Sequence, residues 1–151
     1  MIDVEVEDPA WSGALPEAEA LVLTVAEATL ASEGAVGESV TLLLTDDETV
    51  RGLNLRFRAQ DKPTNVLSFP APQNPERFLG DIALAYGVCA REAEQQAKPL
   101  AHHLQHLVAH GVLHLLGYDH ETDAQADEME GLERAVLAGL GIPDPYLAGP
   151  K

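Results

Sequence analysis

The crowding of the histidines is the feature that most constrains this chain: all six lie between His102 and His120. Four of them recur at every fourth residue, from His102 to His114, in a segment whose apolar pattern predicts a helix. A helix rises about 1.5 Å per residue, so His102 and His114 are roughly 18 Å apart along its axis and cannot bind one ion. Only neighbours four residues apart face the same side and can share a ligand.

The pair His110 and His114 differs from the other pairs because a turn signal follows it. Gly117 can end the helix in the left-handed conformation, and the two residues after it lead to His120, which can fold back. The extended pattern is HxxxHxxGxxH. Three imidazoles leave one position of a tetrahedral zinc ion open for water, as hydrolytic chemistry requires. The sequence therefore predicts one zinc ion held by His110, His114 and His120 plus water.

The remaining histidines are expected to lie outside the metal site. His102 and His103 are predicted to be solvated at the start of the helix. His106 lies one turn before His110 and is predicted mainly to pack against its neighbours. A role for His106 beside the metal or the substrate stays open as the alternative.

The rest of the chain mixes strand and helix patterns. Apolar segments between turn residues predict strands over residues 2–6, 39–45, 66–69 and 81–85. Helices are predicted over residues 16–33, 45–56, 86–97, 100–116 and 122–140. Capping boxes are expected at Thr45 and Thr122, a loop over residues 71–78, and a tail over residues 143–151. This order predicts an α+β fold, with one compact domain over residues 1–151 built around a small sheet.

Composition and charge exclude several classes of protein. The chain has 151 residues, of which 46% are hydrophobic, which suits a globular domain rather than a disordered chain. Its formal net charge of −16 opposes non-specific capture by DNA or by an anionic membrane. Cys89 is the only cysteine, which excludes an internal disulfide and a cysteine-based zinc site. Because the sequence shows neither a signal peptide nor a membrane-spanning apolar run, a soluble, cytoplasmic protein is expected.

Metzincin proteases share the histidine spacing, in the form HExxHxxGxxH, and provide a first alternative. Gly111 stands where those proteases carry the glutamate that acts as general base. Met129, the only methionine after His120, lies in a segment predicted as helix interior rather than in a Met-turn. A protease built on this chain would therefore lack both its base and the methionine beneath its metal.

Blocks of sequence along most of the chain resemble the YbeY family of bacterial rRNA maturation factors. The string from His110 to His120 resembles the family signature, and further similar blocks lie at residues 54–58, 61–70, 79–84, 129–133 and 144–146. The resemblance implies a small α+β fold with a mainly four-stranded sheet. It also implies a single-strand-specific, zinc-dependent endoribonuclease that acts in small-subunit rRNA 3′-end maturation and in ribosome quality control.

The resemblance also implies roles for particular residues. His110, His114 and His120 match the family's zinc ligands, and Arg58 matches an arginine thought to act on the RNA. Lys62, in the same block, is expected to help bind the substrate. Single-stranded rRNA and the small ribosomal subunit are the expected partners, and DNA is not.

Positive charge is concentrated in the same part of the chain. Seven of the nine lysine and arginine residues lie between Arg51 and Lys98, against five acidic residues. Phosphate contacts are predicted mainly from four of them: Arg51, Arg56, Arg58 and Lys62. A planar guanidinium can bind a phosphate through two hydrogen bonds and stabilise the charge that grows during cleavage.

Two questions stay open at this level. Because Gly111 has no side chain, Asp119 or Asp81 could assist proton transfer through a water, although Asp119 is better suited to orient an imidazole or end the turn. A second alternative function is a ribosome-associated binding factor in which zinc only holds a loop in shape.

Overall fold

A computed structural model describes residues 1–146 of the chain. Its strands are β1 (Ile2–Val6), β2 (Ser39–Thr45), β3 (Val66–Pro70) and β4 (Phe78–Ala85). Its helices are α1 (Pro9–Ala14), α2 (Ala18–Ser32), α3 (Asp47–Arg58), α4 (Tyr86–Gln95), α5 (Leu100–Leu115) and α6 (Asp123–Gly139). The prediction of a compact α+β domain with a four-stranded sheet is confirmed.

The sheet has the strand order β1-β2-β4-β3. The first three strands in this order are parallel, whereas β3 runs antiparallel to β4, with Ser68 opposite Ile82. Each parallel connection contains helices, as parallel strands require. Because β3 is an edge strand, one of its sides is free to border a binding site.

The two faces of the sheet are covered differently, since successive side chains of a strand point to opposite faces. On one face, Leu42, Leu44, Ile82 and Leu84 are fully buried in the main core, which α2 and α5 complete. A smaller cluster on the other face includes Ala83 and packs against α3. Helix α5 contacts β3, β4 and helices α2, α4 and α6, so it is the central helix of the fold.

The predicted capping box is present at the start of α6 but not at the start of α3. Helix α6 begins at the predicted capping box, in which the Thr122 hydroxyl accepts a hydrogen bond from the Gln125 backbone N–H at 3.1 Å. For α3 the predicted cap was wrong: Asp46, not Thr45, accepts from the Thr49 backbone N–H, at 2.7 Å. Thr45 instead ends β2, whose hydrogen bonds fix its backbone.

Helix α1 was not predicted, because its six residues are too few to show an apolar period. Its start nevertheless carries a standard signal: the Asp8 carboxylate accepts from the Ala10 backbone N–H, at 2.9 Å, and Pro9 follows the cap. Trp11 is fully buried, and its indole N–H donates to the carbonyl oxygen of Thr45 at 2.9 Å.

Across residues 1–146, none of the helices has the combination of length and apolar sequence that a bilayer crossing demands. Of the predicted tail, residues 147–151 lie outside the described part of the chain. The part that is described packs against the body of the protein: the Lys98 ammonium group donates to the carbonyl oxygen of Pro145, and Arg134 pairs with Asp144 at 3.1 Å.

Candidate metal centre

Three histidines converge at the C-terminal end of α5. His110, His114 and His120 each offer a ring nitrogen, and these nitrogens lie within 4.8 Å of one another. The ring centroids are 4.6 Å apart for His110 and His114 and 4.9 Å apart for His114 and His120. Three imidazoles are the donor set that catalytic zinc sites use, so the residues present fit a zinc ion.

The end of α5 explains why His120 reaches its two helical companions. Gly117 adopts a φ of +104°, in the region that favours glycine. Its backbone N–H donates to His114 O at 3.0 Å, and the Tyr118 N–H donates to Leu113 O at 3.1 Å, which is the hydrogen-bond pair of a Schellman motif. The predicted turn at Gly117 is therefore confirmed, and it directs the following residues back toward the helix.

A buried carboxylate fixes the orientation of His110, the first candidate ligand. His110 Nδ1 lies 2.8 Å from Glu133 Oε2, which leaves Nε2 of the same ring for a cation. Glu133 is fully buried, and it also accepts hydrogen bonds from His106 Nε2, at 2.7 Å, and from the Tyr146 hydroxyl. Burial alone would raise the pKa of Glu133, but hydrogen bonds from His106, His110 and Tyr146 outweigh it and lower that pKa to about 2.

The surroundings of His114, the second candidate ligand, favour its neutral form. Burial lowers the pKa of His114, and the neighbouring His110 and His120 lower it further. A neutral imidazole is the form that binds a cation, so the environment favours coordination.

The first histidines of α5 depart from the prediction of solvated residues. His103 is buried, and its Nε2 lies 2.9 Å from Glu92 Oε1 of α4, so the prediction for this residue was wrong. Burial lowers the pKa of His103. His102 is half-buried at the helix start. His106 packs against the Tyr146 ring at 5.1 Å and reaches Glu133, which places it beside the metal site.

A cavity of about 670 Å³ opens in front of the three imidazoles. The end of α3, the loop that follows it, and β3 also line this cavity. Arg58 and Lys62 both line this cavity, so the structure brings the two predicted RNA-contacting residues to the histidines. Arg58 Nη2 donates to Ser68 O at 3.3 Å, and the Asn54 amide holds the loop by donating to Lys62 O at 2.9 Å.

The other two cations predicted to contact phosphate are placed differently. Arg51 forms ion pairs with Glu48, at 3.0 Å, and with Asp61, at 2.7 Å. The Arg56 guanidinium lies over the Phe57 ring, 5.3 Å from its centroid. Among the described residues that line the cavity, neither Arg51 nor Arg56 is present.

The position of Gly111 explains why no glutamate stands there. A Cβ atom at this residue would lie 3.1 Å from two carbon atoms of Ile82 and 3.3 Å from Ser68 Oγ. Position 111 therefore packs closely against the sheet, and glycine supplies no carboxylate that could act as the general base of a protease. Met129 is buried inside α6, as predicted, and forms no Met-turn.

Only one of the two candidate aspartates is near the site. Asp81 alternates with Ile82, whose side chain packs under α5, so Asp81 lies on the opposite face of the sheet and its suggested role was wrong. Asp119 lines the cavity, and its Oδ1 accepts from the His120 backbone N–H at 2.8 Å. It helps to form the turn, as expected.

Glu133 was missed as a site residue, although the sequence carries a signal for it. It shares the buried face of α6 with Met129, Val136 and Leu137. A glutamate on an apolar stripe is unusual, because a buried carboxylate needs hydrogen-bond donors to compensate for lost water. The stripe could have indicated a paired, buried carboxylate, but it gives no information about the partner.

A cation bound by the three histidines would remain accessible from the cavity, since residues 1–146 contribute only these three ligands to the cluster. Structural zinc sites are closed by a fourth protein ligand, so the arrangement defines the class of metal-dependent hydrolases. Comparison with protein families narrows that class. A family model described as Endoribonuclease YbeY matches residues 5–141, and the chain belongs to this family.

Individual relatives agree with this assignment. A protein from Rhodopseudomonas palustris (strain ATCC BAA-98 / CGA009) named Endoribonuclease YbeY is 53% identical over 154 residues, covering 95% of this chain and 80% of the relative. Another of that name, from Azorhizobium caulinodans, is 52% identical over 152 residues, covering 96% and 95%. The solution structure of TM1509 from Thermotoga maritima superposes with a TM-score of 0.59 over 100% of this chain and 99% of that one. At 23% identity, this last likeness shows the fold alone.

Proposed function

We propose that the protein is a zinc-dependent endoribonuclease that hydrolyses single-stranded RNA in small-subunit rRNA 3′-end maturation and in ribosome quality control. The observation that carries the proposal is the convergence of His110, His114 and His120 on a cavity that Arg58 and Lys62 also line. Membership of the YbeY family, whose relatives are named endoribonucleases, supports RNA as the substrate.

The three imidazoles would hold the zinc ion on one side of the cavity. When bound, zinc lowers the pKa of a water molecule toward neutrality and polarises a phosphoryl oxygen. The cavity leaves room for that water and for a phosphodiester, because no fourth protein ligand among residues 1–146 closes the site.

Arg58 binds the substrate phosphate within the same cavity. Its side chain is exposed, and its contact with Ser68 O occupies one nitrogen, which leaves the other N–H groups for phosphate oxygens. The guanidinium orients the scissile group and stabilises the negative charge that grows on it. Lys62 adds a point charge that attracts the strand without fixing its geometry.

The residue that assists proton transfer is Asp119, in the turn after α5, rather than a residue within α5. Position 111 faces the sheet, and Asp81 lies on the far face of it, whereas Asp119 lines the cavity. The Asp119 carboxylate accepts a proton through an intervening water.

Single-stranded rRNA and the small ribosomal subunit are the proposed partners, and the cytoplasm is the proposed compartment. The net charge of −16 repels nucleic acid in bulk, so a partner that presents a defined strand near Arg58 suits this molecule better than free search. The free, buried thiol of Cys89 is compatible with a reducing compartment.

The proposal is tested with purified protein and an rRNA fragment that carries the 3′ end of the small-subunit rRNA, supplied single-stranded or as a duplex. We expect cleavage of the single strand alone, loss of cleavage with a chelator, and recovery with added zinc. His114→Ala should abolish both zinc binding and cleavage, whereas His102→Ala, on the same helix outside the site, should retain both. Cleavage that survives the chelator and His114→Ala would contradict the proposal.

Arg58 has its own test and a matched control on the same helix. Arg58→Ala should lower kcat by about 10²–10³-fold with zinc content unchanged, because one charge-stabilising donor is lost. Arg51→Ala, whose side chain is paired with Glu48 and Asp61, should leave kcat unchanged. If both variants lowered kcat equally, the proposed role of Arg58 at the scissile phosphate would be wrong.

Two further outcomes would favour the alternatives. Cleavage of casein in place of RNA would restore the protease hypothesis. Co-sedimentation with small ribosomal subunits, without cleavage of any RNA, would favour a binding factor whose zinc only holds the loop.

A further inference from the structure

The buried carboxylate of Glu133 links His110, a proposed zinc ligand, to helix α6 and to the segment after α6. It projects from α6, is fully buried, and meets three donors: His110 Nδ1 at 2.8 Å, His106 Nε2 at 2.7 Å and the Tyr146 hydroxyl. These donors come from α5 and from the segment after α6. The carboxylate therefore joins α5, α6 and the C-terminal segment through one cluster of hydrogen bonds.

The type of donor distinguishes this cluster of hydrogen bonds from an ordinary structural ion pair. A buried carboxylate is costly unless it is paired and hydrogen-bonded, and arginine is the usual partner for it. Here, the partners are two imidazoles and a phenol, and one imidazole belongs to the metal cluster. One of the three donors to Glu133 is therefore a residue of the cavity wall.

The geometry has a direct consequence for His110. A neutral imidazole carries one N–H, and a carboxylate at Nδ1 holds the proton there. Nε2 is then unprotonated, and the ring is held by the hydrogen bond in one orientation. Among the described residues, His110 is the only one of the three clustered histidines whose imidazole ring has a carboxylate hydrogen-bond partner.

We infer that Glu133 is a positioning residue that fixes the tautomer and ring orientation of His110 for the cation, and that His106 and Tyr146 hold Glu133 in place. This inference rests on the proposed metal site but not on the identity of the RNA. His106 thereby gains a role beside the metal site, because it donates a hydrogen bond to Glu133, which in turn orients His110. Tyr146 extends the same role to the C-terminal segment.

The test measures zinc affinity of the purified full chain, without RNA, by competition with a chromophoric chelator. Glu133→Gln should weaken zinc binding by about 10–100-fold, because an amide cannot accept from all three donors. Glu130→Gln is the matched control: it lies one turn earlier on α6, is half-buried, and pairs with Arg134 at 3.8 Å rather than with a histidine. The zinc affinity of Glu130→Gln should stay close to that of the wild type, because the Glu130 ion pair is with Arg134 and not with a clustered histidine.

A second measurement separates positioning from mere stabilisation. Long-range ¹H–¹⁵N NMR of the zinc-loaded protein reads the tautomer of His110, which should carry its proton on Nδ1 in the wild type and lose this preference in Glu133→Gln. Tyr146→Phe removes one donor without altering a helix, so it should fold and weaken zinc binding less than Glu133→Gln does. Unchanged zinc affinity in both folded variants, with only a lower Tm of the zinc-free protein, would overturn the inference.

His114→Ala distinguishes failure of this inference from failure of the proposed function. If His114→Ala loses zinc and Glu133→Gln does not, the metal site stands and the positioning role is wrong. If His114→Ala binds zinc as tightly as the wild type, the metal site itself is wrong, and the proposed function fails with it.

Discussion

Replacing Gly111 by alanine should destabilise the protein, although alanine is the better helix former. Gly111 lies inside α5 and is buried against the sheet. A Cβ atom there would be 3.1 Å from two carbons of Ile82 and 3.3 Å from Ser68 Oγ, which is tighter than ordinary van der Waals contact. Neither neighbour can move freely, because Ile82 is fully buried and Ser68 donates to Gly111 O at 3.3 Å.

Helix propensity and overpacking have opposite effects on the free energy of unfolding of Gly111→Ala. Alanine in place of glycine stabilises a helix interior by about 1 kcal/mol. Overpacking a well-packed core costs about 1–3 kcal/mol, so the net loss expected for Gly111→Ala is about 1 kcal/mol. Gly131→Ala is the matched control, since it lies inside α6 with nothing within 4 Å of an added Cβ, and should show the propensity gain alone.

The assay is thermal and urea unfolding of the two zinc-free variants and the wild type. The two variants should differ by about 2 kcal/mol, which corresponds to roughly 4–8 °C in Tm for a domain of this size. If Gly111→Ala unfolds at a temperature equal to or above that of Gly131→Ala, the close contact between α5 and the sheet is not what excludes a side chain here.

Two other substitutions test the turn and the start of α3. Gly117→Ala should cost about 1–2 kcal/mol in urea unfolding, because its φ is +104°, and should weaken zinc binding by displacing His120, so an unchanged zinc affinity would contradict the role of the turn. Asp46→Ala should cost about 1 kcal/mol near neutral pH through loss of the cap. Hydrogen bonds from Thr49 lower the pKa of Asp46, so its stabilisation is complete above the ordinary carboxyl value of 3.8 and is lost as the pH falls through the lowered value. Wild type and Asp46→Ala should therefore converge in strongly acidic urea titrations, and a difference that persists there would refute the cap.

Features that depend on neighbours in the sequence could be predicted. The spacing of His110 and His114 follows from the helical repeat, and the return of His120 follows from the conformational freedom of Gly117. The cap at Thr122 is equally local, because its partner lies three residues away. These signals were sufficient for the metal cluster and for most helix and strand positions.

Features that depend on packing between distant segments could not be predicted. Glu133 meets His110 across 23 residues of sequence, and His103 meets Glu92 across 11, and no local pattern specifies either pair. The burial of His103 depends on where α4 packs on α5, which its own helix does not determine. The placement of Arg51 outside the cavity likewise depends on its ion pair with Asp61, in the loop after α3.

The three clustered imidazoles come from one short stretch, whereas Arg58 comes from a distant point of the chain. Closing a short loop costs little entropy, so the cation-binding groups can meet once α5 and its turn have formed. Arg58 meets them only when β3 is paired and the edge of the sheet is complete. If the proposed function is right, damage to that edge is expected to leave zinc uptake intact and to weaken RNA cleavage.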